Sequence, residues 1–421
     1  MAQSRRDFLK TFGTIGAVGA SLSILPKWMP RVAFAQADHN PTGNTVVVVS
    51  LRGGIDGLAA LAPIFEGERY YRARPTQHLR AQGDGPNASI DLDGRFGMHR
   101  AMEPLKRIYD NGDLVFVHAT GLTDPTRSHF DAMLQMEVGT PGDKFTATGW
   151  LGRYLQSTAE RSGSPFRSIG MGAVLPTSLR GPVSSLALKS IVDFHLGGRP
   201  DEAERMRNAI SQLYMVENPV SSTEVQGRML METLGQIEAL RADEYTPANG
   251  AEYPESEFGM GMQQIARFIK ADVGTEVATV DLGGWDTHDN QGTAEGMFNY
   301  LLEELTQGLS AFYTDLGDRM NRVTVITMSE FGRTLRENAS GGTDHGHGNI
   351  MMLMGGGVSG GQVYTDWPTL APEALADGDL NITTDYRDVL SEVVRHQLHN
   401  DDIDFIFPNF THTPLGLVVP A

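Results

Sequence analysis

The chain alternates between short runs of aliphatic and β-branched residues and longer stretches with helical periodicity. Five apolar runs have the length and composition of strands that are buried on both faces, at 45–51, 114–119, 276–282, 323–328 and 350–354. Helical segments are predicted at 101–111 and 293–321, between successive strands. This alternation indicates βαβ units, and therefore an α/β fold with a mostly parallel sheet and helices on both faces.

The segment 200–272 breaks the alternation because it is mainly helical. It contains three helical patterns without an intervening strand, at 202–216, 223–242 and 257–271. We therefore predict that residues 36–421 form a single domain with a helical insertion at about 200–272. A loop rich in Pro, Gly and Asp at 365–382 precedes a last predicted helix at 384–399, with Thr384 as its cap.

The first 35 residues have the features of an export signal. A twin-arginine pair, Arg5 and Arg6, precedes a mildly apolar run at 11–25, and Ala33-Phe34-Ala35 offers a small-x-small cleavage site. The apolar run is interrupted by glycines and is too short for a stable membrane span. We predict a cleaved signal peptide at 1–35, passage through the twin-arginine export machinery, and a periplasmic or extracellular protein.

Charge and cysteine content narrow the classes of function. The formal net charge is −18, and it would be −22 without residues 1–35. Such an acidic protein is not expected to bind nucleic acid, which needs a basic surface. Cysteine is absent, so neither a thiolate metal ligand nor a cysteine nucleophile is available.

Most of the candidate chemistry lies in three short segments between residues 283 and 348. They combine acidic and histidine side chains with glycines, in the sequences Gly-Gly-Trp-Asp-Thr-His (283–288), Ser-Glu-Phe-Gly-Arg-Thr (329–334) and Thr-Asp-His-Gly-His-Gly (343–348). The first two follow predicted strands. Carboxylates and imidazoles at strand ends are the ligands that a divalent ion needs, so the sequence predicts a metal site.

The first and third segments provide several candidate ligands. Asp286 and His288 point the same way on an extended segment, and so would His345 and His347. Asp344 could bind the ion directly or orient an imidazole from behind. The structural alternatives are a turn aspartate with a solvent-facing histidine, and a flexible His-Gly loop.

Two further candidate ligands compete with structural roles. Glu330 could bind the ion or form an ion pair with Arg333, whose guanidinium could otherwise hold an anionic substrate group. Asp56 follows the first strand in a Gly-Gly-Ile-Asp-Gly turn, at the sheet edge where open α/β proteins bind ligands. Aspartate also serves at such positions as a turn residue or a helix cap.

A candidate nucleophile lies at the start of a helix predicted at 129–138. Thr126-Arg127-Ser128 precedes this helix and follows the strand at 114–119. A hydroxyl of Ser128 or Thr126 at a helix N-terminus is well placed for activation by a metal ion, because free amides there stabilise an anion. Arg127 could bind an anionic group of the substrate. Serine at this position is more often only a helix cap.

These motifs together resemble those of the domain of unknown function 1501 family. They comprise the Ser-Arg-Arg-Asp-Phe-Leu start, Leu-Arg-Gly-Gly-Ile-Asp-Gly, Arg-Ser-His-Phe-Asp-Ala, Gly-Trp-Leu-Gly-Arg-Tyr-Leu and the three segments above, in the family's order. The resemblance covers almost the whole chain after the signal segment. It implies the fold of the alkaline-phosphatase-like superfamily, a three-layer sandwich with a mostly parallel central sheet and, in this chain, a helical insertion.

The resemblance also implies a type of reaction, the metal-dependent hydrolysis of a phosphate or sulfate ester. The implied cofactor is one or two divalent ions, with zinc as the first choice and manganese, magnesium or calcium as alternatives. The implied substrate is a small anionic ester, with Ser128 or Thr126 as nucleophile. Phe331 stands where the superfamily pattern places a histidine after an acidic ligand.

Two functions are compatible with these residues. The first is an exported metal-dependent hydrolase of the phosphatase or sulfatase type. The second is a non-catalytic periplasmic protein that keeps the fold and uses an ion for structure or for binding a partner. The grouped Asp and His ligands favour the first function, whereas Phe331 and the unassigned nucleophile favour the second.

Overall fold

The computed structural model describes residues 43–81, 83, 85–159, 164–191, 199–214, 222–242 and 245–419. The signal peptide predicted at 1–35 lies outside the described residues, so export remains a prediction. Within the described ranges, no helix combines the length and the apolar content that crossing a membrane requires.

The described strands form one large sheet and two small ones. In chain order they are β1 (Thr45–Arg52), β2 (Leu61–Pro63), β3 (Ile90–Asp91), β4 (Phe96–Met98), β5 (Leu114–Gly121), β6 (Ser168–Met171), β7 (Leu186–Leu188), β8 (Val277–Gly283), β9 (Val323–Met328), β10 (Arg333–Glu337), β11 (Thr343–His345), β12 (Asn349–Gly355), β13 (Gln362–Tyr364) and β14 (Thr384–Asp385). The large sheet has nine strands in the order β13-β5-β12-β9-β1-β8-β6-β7, with β14 beside β5. Only β12 runs antiparallel to its neighbours among these described strands.

Helices connect most of these strands. They are α1 (Gly57–Ala60), α2 (Glu68–Ala73), α3 (Glu103–Asp110), α4 (His129–Val138), α5 (Trp150–Ser157), α6 (Pro200–Tyr214), α7 (Ser222–Ala242), α8 (Glu257–Lys270), α9 (Met297–Leu316), α10 (Tyr386–Glu392) and α11 (Ile403–Ile406). Each of the five predicted strands corresponds to an observed strand. The α/β class with a mostly parallel central sheet is therefore confirmed.

The sheet is covered on both faces because alternate residues of β1 belong to different hydrophobic cores. Val47 and Val49 pack in a core with α3, α8 and α9. Val46 and Val48 pack in a second core with α4, α5 and α10. A side chain of this size gains about 1.5–3 kcal/mol when it is fully buried, which favours a strand that is apolar on both faces. The result is a helix–sheet–helix sandwich.

The helices predicted in the segment 200–272 are α6, α7 and α8, each with bounds within two residues of the prediction. Helix α8 belongs to the core beneath α9. Helices α6 and α7 cover a smaller apolar cluster with β6 and β7 at the end of the large sheet. The division into one domain with an insertion stays a prediction.

The last predicted helix differs from the observed one at its start. Thr384 pairs with β5 as part of β14, and Asp385 is the residue that caps α10 by accepting a hydrogen bond from Arg387 N. The helix then continues as one π-helical turn, Val393–Gln397. Thr384 is therefore not the cap, because a strand pair with β5 takes its backbone out of the helix.

Candidate metal centre

The candidate residues meet at one edge of the large sheet. Strands β1, β5, β8 and β9 run in the same direction, so the loops that follow them leave from the same edge. Asp286 and His288 follow β8, Glu330 follows β9, and His129 opens the helix after β5. His345 reaches the same edge from β11, which pairs with β10.

Three imidazoles converge on a single carboxylate oxygen. The Nε2 atoms of His288 and His345 both lie 3.1 Å from Asp286 Oδ1, and the Nε2 atom of His129 lies 3.3 Å from it. The Nε2 atoms of His288 and His345 are 2.9 Å apart. The ligand atoms of His129, Asp286 and His345 all lie within 4.8 Å of one another, and His288 Nε2 contacts two of them.

The second ring nitrogen of each histidine meets an oxygen that can only accept a hydrogen bond. The pairs are His129 Nδ1 with Glu330 Oε1 at 2.7 Å, His288 Nδ1 with Asp344 Oδ1 at 2.9 Å, and His345 Nδ1 with the Arg127 carbonyl oxygen at 2.7 Å. In a ring that donates its single proton from Nδ1 to this oxygen, Nε2 keeps its lone pair. This tautomer is the one that metal-binding histidines adopt, with an outer oxygen orienting the ring.

The donor set fits a divalent ion. Lone pairs of uncharged imidazoles that face one another and a carboxylate repel unless a cation lies between them. His129 Nε2 is buried without a hydrogen-bond partner, an arrangement that buried polar atoms normally avoid. Neighbouring donors around a tetrahedral ion with bonds of about 2.0–2.1 Å lie about 3.3 Å apart. The distances from Asp286 Oδ1 to the three Nε2 atoms and between the Nε2 atoms of His288 and His345, 2.9–3.3 Å, are close to that value.

The chemistry of the donors also favours some ions over others. Three imidazole nitrogens and one carboxylate oxygen suit zinc or another transition ion, such as manganese. Calcium and magnesium prefer a set made of oxygen atoms. Asp286, His129, His288 and His345 therefore fit zinc better than they fit either alkaline-earth ion.

Arg333 donates a hydrogen bond to the same Asp286 oxygen that the imidazoles face. Its side chain is fully buried, and its nitrogen atoms donate to Asp286 Oδ1 and to the carbonyl oxygens of Gly53, Gly54, Trp285 and Thr343. Burial opposes ionisation of Asp286, but the hydrogen bond and charge of Arg333 outweigh it and lower the pKa of Asp286 to about 2. The sequence suggested that Arg333 binds a substrate anion. Its burial and its protein partners correct this to a positioning role.

Glu330 is oriented by the turn after β1. Its side chain is 2% exposed, and Oε1 accepts hydrogen bonds from Gly53 N at 2.8 Å and from His129. Ser329 Oγ lies 3.3 Å from Oε2. Because Glu330 contacts the far nitrogen of His129, it is placed to orient the ring and not to bind the ion directly.

The acidic and histidine residues of the segment 343–348 lie in two different environments. Asp344 is exposed and accepts hydrogen bonds from His288 Nδ1 and from Asn338 Nδ2, at 2.9 and 3.1 Å, and these bonds lower the pKa of Asp344. It thus takes the orienting role that was one of its two predicted roles. His347 lies beyond the end of β11, where burial and then the charge of Arg127 lower its pKa. Among the described residues, His345 is one of the imidazoles that contact Asp286 Oδ1 and His347 is not.

Asp56 makes its contacts outside the cluster of imidazoles. It is 1% exposed, its Oδ2 accepts from Arg74 and from Gln291 at 2.6 Å each, and its Oδ1 caps α1 at Ala59 N. The structural alternative, a helix cap, is what the structure shows. Asp56 does not fit the predicted metal-ligand role, since its lone pairs are bound by protein donors.

The candidate nucleophiles lie directly before His129. Ser128 Oγ caps α4 by accepting from Asp131 N at 3.5 Å, and Thr126 Oγ1 accepts from Ser128 N at 3.3 Å. Both hydroxyl groups keep a proton to donate. Arg127 pairs with Asp379 at 2.7 Å, and 39% of its side chain remains exposed.

His129 is the ligand candidate that the sequence did not reveal. Phe331 occupies the position where a histidine was expected, and its ring lies 4.8 Å from the rings of both His129 and His345. Phe331 forms an apolar wall, and His129 supplies the imidazole from another strand's loop. The sequence feature that could have revealed it is Arg-Ser-His at the start of α4. The sequence suggested roles for the hydroxyl and the arginine of this motif and not for its histidine.

Comparisons with known proteins identify a family. Residues 43–407 match the sequence profile of a family described as "Protein of unknown function (DUF1501)", which confirms the resemblance noted in the motifs. No curated protein matches the sequence significantly.

Several solved structures are distantly similar to this chain. The lipoteichoic acid synthase LtaP from Listeria monocytogenes is 8% identical, with 81% of this chain and 74% of that chain covered and a TM-score of 0.33. The periplasmic domain of EcEptC from Escherichia coli, in complex with Zn, is 9% identical, with coverages of 78% and 76% and a TM-score of 0.32. Alkaline phosphatase from the Antarctic bacterium TAB5 is 11% identical, with coverages of 76% and 93% and a TM-score of 0.27. Likenesses this distant carry no argument about function.

Proposed function

We propose that this chain, which belongs to the DUF1501 family, is a metal-dependent hydrolase that acts on a phosphate or sulfate ester. The observation that carries the proposal is the convergence of three imidazole Nε2 atoms on Asp286 Oδ1, each ring being fixed by an oxygen at Nδ1. Residues that only stabilise a fold have no need for three imidazoles around one carboxylate oxygen. A site for a divalent ion does.

Each residue of the site has a role in this proposal. Asp286, His129, His288 and His345 bind the ion, while Glu330 and Asp344 keep two of the rings oriented. A divalent ion held there would lower the pKa of a nearby hydroxyl group and offset negative charge on the ester oxygens.

The residues at the start of α4 complete the proposed reaction. The hydroxyl of Ser128, or that of Thr126, loses its proton to solvent and attacks the phosphorus or sulfur atom, and the bond to the leaving alcohol oxygen breaks. Water then hydrolyses the ester formed on the enzyme and releases phosphate or sulfate. The free amides at the helix start favour the oxyanion that forms when the hydroxyl loses its proton. Arg127 lies at the exposed rim and binds a charged oxygen of the substrate, in exchange for part of its contact with Asp379.

Metal analysis tests the first half of the proposal. We expect the exported protein to hold about one equivalent of zinc or manganese, and expect His129→Ala, Asp286→Ala and His345→Ala each to lower the affinity by tenfold or more. His347→Ala is the matched control, because it removes a neighbouring histidine outside the cluster. A wild-type protein without bound ion, or an equal loss in the control, contradicts the assignment.

Turnover of aryl phosphates and aryl sulfates tests the second half. Removing the nucleophile is expected to lower turnover by several orders of magnitude, so Ser128→Ala and Thr126→Ala distinguish the two hydroxyls. Both variants are expected to keep the ion. If the wild type binds the ion but cleaves neither ester, the non-catalytic alternative replaces the hydrolase proposal.

A further inference from the structure

A buried polar network lies directly behind the imidazole cluster, with the side-chain amide of Gln291 at its centre. Gln291 is fully buried. Its Nε2 donates to Asp56 Oδ2 at 2.6 Å, and its Oε1 accepts from Thr287 Oγ1 at 2.9 Å and from Thr343 Oγ1 at 2.7 Å. Asp56 belongs to the turn after β1, so one amide connects three separate segments of the chain.

Two of these segments carry most of the proposed ligands. Thr287 stands between Asp286 and His288, and it points inward at 4% exposure while the side chains of its two neighbours are 46% and 38% exposed. Side chains alternate between inward and outward directions in this way along an extended segment. Thr343 begins β11, the strand that ends at His345. A shared acceptor on Gln291 therefore ties the segment of His288 to the segment of His345.

The carboxylate of Asp56 fixes which way the amide faces. Arg74 Nη1 donates to the same Oδ2 atom at 2.6 Å, and the Arg74 guanidinium also donates to the carbonyl oxygens of Thr334 and Leu335 in β10. An ionised Asp56 accepts hydrogen bonds only, so the NH₂ group of Gln291 must face it. The carbonyl oxygen of Gln291 then faces the two threonine hydroxyls.

We infer that Asp56 is a positioning residue of the metal centre, acting through Gln291, and not a ligand of the ion. This inference rests on the proposed function, because it concerns the spacing of the ion's ligands. The network holds the two segments so that the Nε2 atoms of His288 and His345 lie 2.9 Å apart, a spacing suited to two ligands of one ion. Asp56, Arg74 and Gln291 are each at most 1% exposed, so water cannot replace a lost partner.

An exchange of charge between the two partners tests the inference. Gln291→Glu keeps the shape of the side chain but places a second carboxylate against Asp56. We expect it to weaken Zn²⁺ binding by tenfold or more and to alter the visible absorption of Co²⁺, which reports the ligand geometry. The double variant Asp56→Asn with Gln291→Glu keeps the net charge and no longer sets two carboxylates against each other, so it should bind Zn²⁺ more tightly than Gln291→Glu alone and recover part of the spectrum. The recovery is only partial because Arg74 and Gln291 donate to the same Asp56 oxygen, and an NH₂ group at that position would face the guanidinium.

The control is a buried ion pair of the same kind at the opposite end of β8. Arg167 and Glu276 are 2.8 Å apart with side chains 2% and 0% exposed, and Glu276 directly precedes β8. Glu276→Gln is expected to lower the melting temperature and leave Zn²⁺ affinity and the Co²⁺ spectrum unchanged. It therefore separates positioning from a general loss of stability.

The possible outcomes separate the inference from the function on which it rests. If the wild type binds neither Zn²⁺ nor Co²⁺, the proposed function fails and the positioning role falls with it. If the wild type binds the ions but the double variant binds no better than Gln291→Glu, the inference alone is overturned, because a direct ligand role for Asp56 predicts that result. A loss of affinity in Glu276→Gln equal to that in Gln291→Glu also overturns it.

Discussion

The imidazole of His129 is held by two consecutive residues that follow β9. Glu330 binds its Nδ1 atom, and the ring of Phe331 lies beside it. The carboxylate of Glu330 is itself fixed by Gly53 N at 2.8 Å. At the scale of single residues, the geometry of the imidazole cluster therefore depends on acceptors at Nδ1, on the side of each ring away from Asp286.

Replacing Glu330 by glutamine tests this dependence. The amide keeps the volume of the side chain but removes the charge, so Glu330→Gln should weaken Zn²⁺ binding by about 10–100-fold. Asp344→Asn is the matched control, because Asp344 binds His288 in the same way but is exposed. Its effect should be smaller, since water can replace a lost hydrogen bond there. Calorimetric titration measures the Zn²⁺ affinity of the two variants. Equal losses of affinity would contradict the expectation that the buried contact of Glu330 matters more than the exposed contact of Asp344.

The turn after β1 shows how a short element brings the site together. Gly53 has a φ of 121°, and a Cβ atom on it would lie 2.5 Å from Asp286 N. Gly54 has a φ of 76°, and a Cβ atom on it would lie 2.8 Å from the ring of Phe331. Both conformations and both close approaches require glycine. The double glycine allows the ends of β1, β8 and β9 to come into contact.

Substitution in this turn is therefore expected to be costly. Gly53→Ala forces a Cβ atom against the backbone of the Asp286 segment and should lower the free energy of unfolding by about 2 kcal/mol or more. Gly235→Ala is the control, because Gly235 lies within α7 with open space around it. Alanine there should raise stability by about 0.5–1 kcal/mol. Urea denaturation gives both values, and a neutral effect of Gly53→Ala would show that the turn can relax.

At the scale of the whole molecule, two buried groups give stability opposite dependences on pH. His118 lies in β5, where its Nδ1 accepts from Ala119 N at 2.8 Å and its Nε2 donates to the Leu61 carbonyl at 3.0 Å. Burial lowers the pKa of His118 to about 4, although the bond to Leu61 opposes this shift. Burial raises the pKa of the Asp388 carboxyl to about 6.

The direction of the pH dependence at His118 follows from its pKa in the folded and unfolded states. The unfolded chain binds a proton at His118 near pH 6.5, whereas the folded protein does so only near pH 4. Its contribution to stability is complete above pH 6.5 and is lost as the pH falls toward 4, by an amount on the order of 3 kcal/mol. Asp388 acts in the opposite direction between about pH 4 and pH 6, because the folded protein binds its proton more readily.

The comparison of wild type with His118→Gln isolates the histidine. The difference between their free energies of unfolding should shrink as the pH falls from 7 to 4.5, because only the wild type must then exclude a proton. Chemical denaturation at several pH values provides the measurement. A difference that stays constant over this range would mean that His118 is not held uncharged.

The sequence by itself determined five strands of the large sheet and the class of fold. Continuous apolar runs such as Thr45–Leu51 can be buried only between two helical layers, so the five strands and the α/β sandwich followed from local pattern. The three segments at 283–348 supplied Asp286, His288 and His345, because acidic and histidine residues with glycines at strand ends are uncommon without a ligand. A local sequence pattern shows which segments can be buried and which side chains could bind a ligand.

Only the tertiary structure decided which side chains face one another. His129 and Glu330 are 201 residues apart in the chain, and they meet because β5 and β9 both end at the same sheet edge, separated only by β12. The position of Asp56 in the sequence suggested a metal ligand, but in the structure Arg74 and Gln291 donate hydrogen bonds to its carboxylate. Strand order and the pairing of buried charges are properties of distant segments brought together, and a local sequence pattern carries no information about such partners.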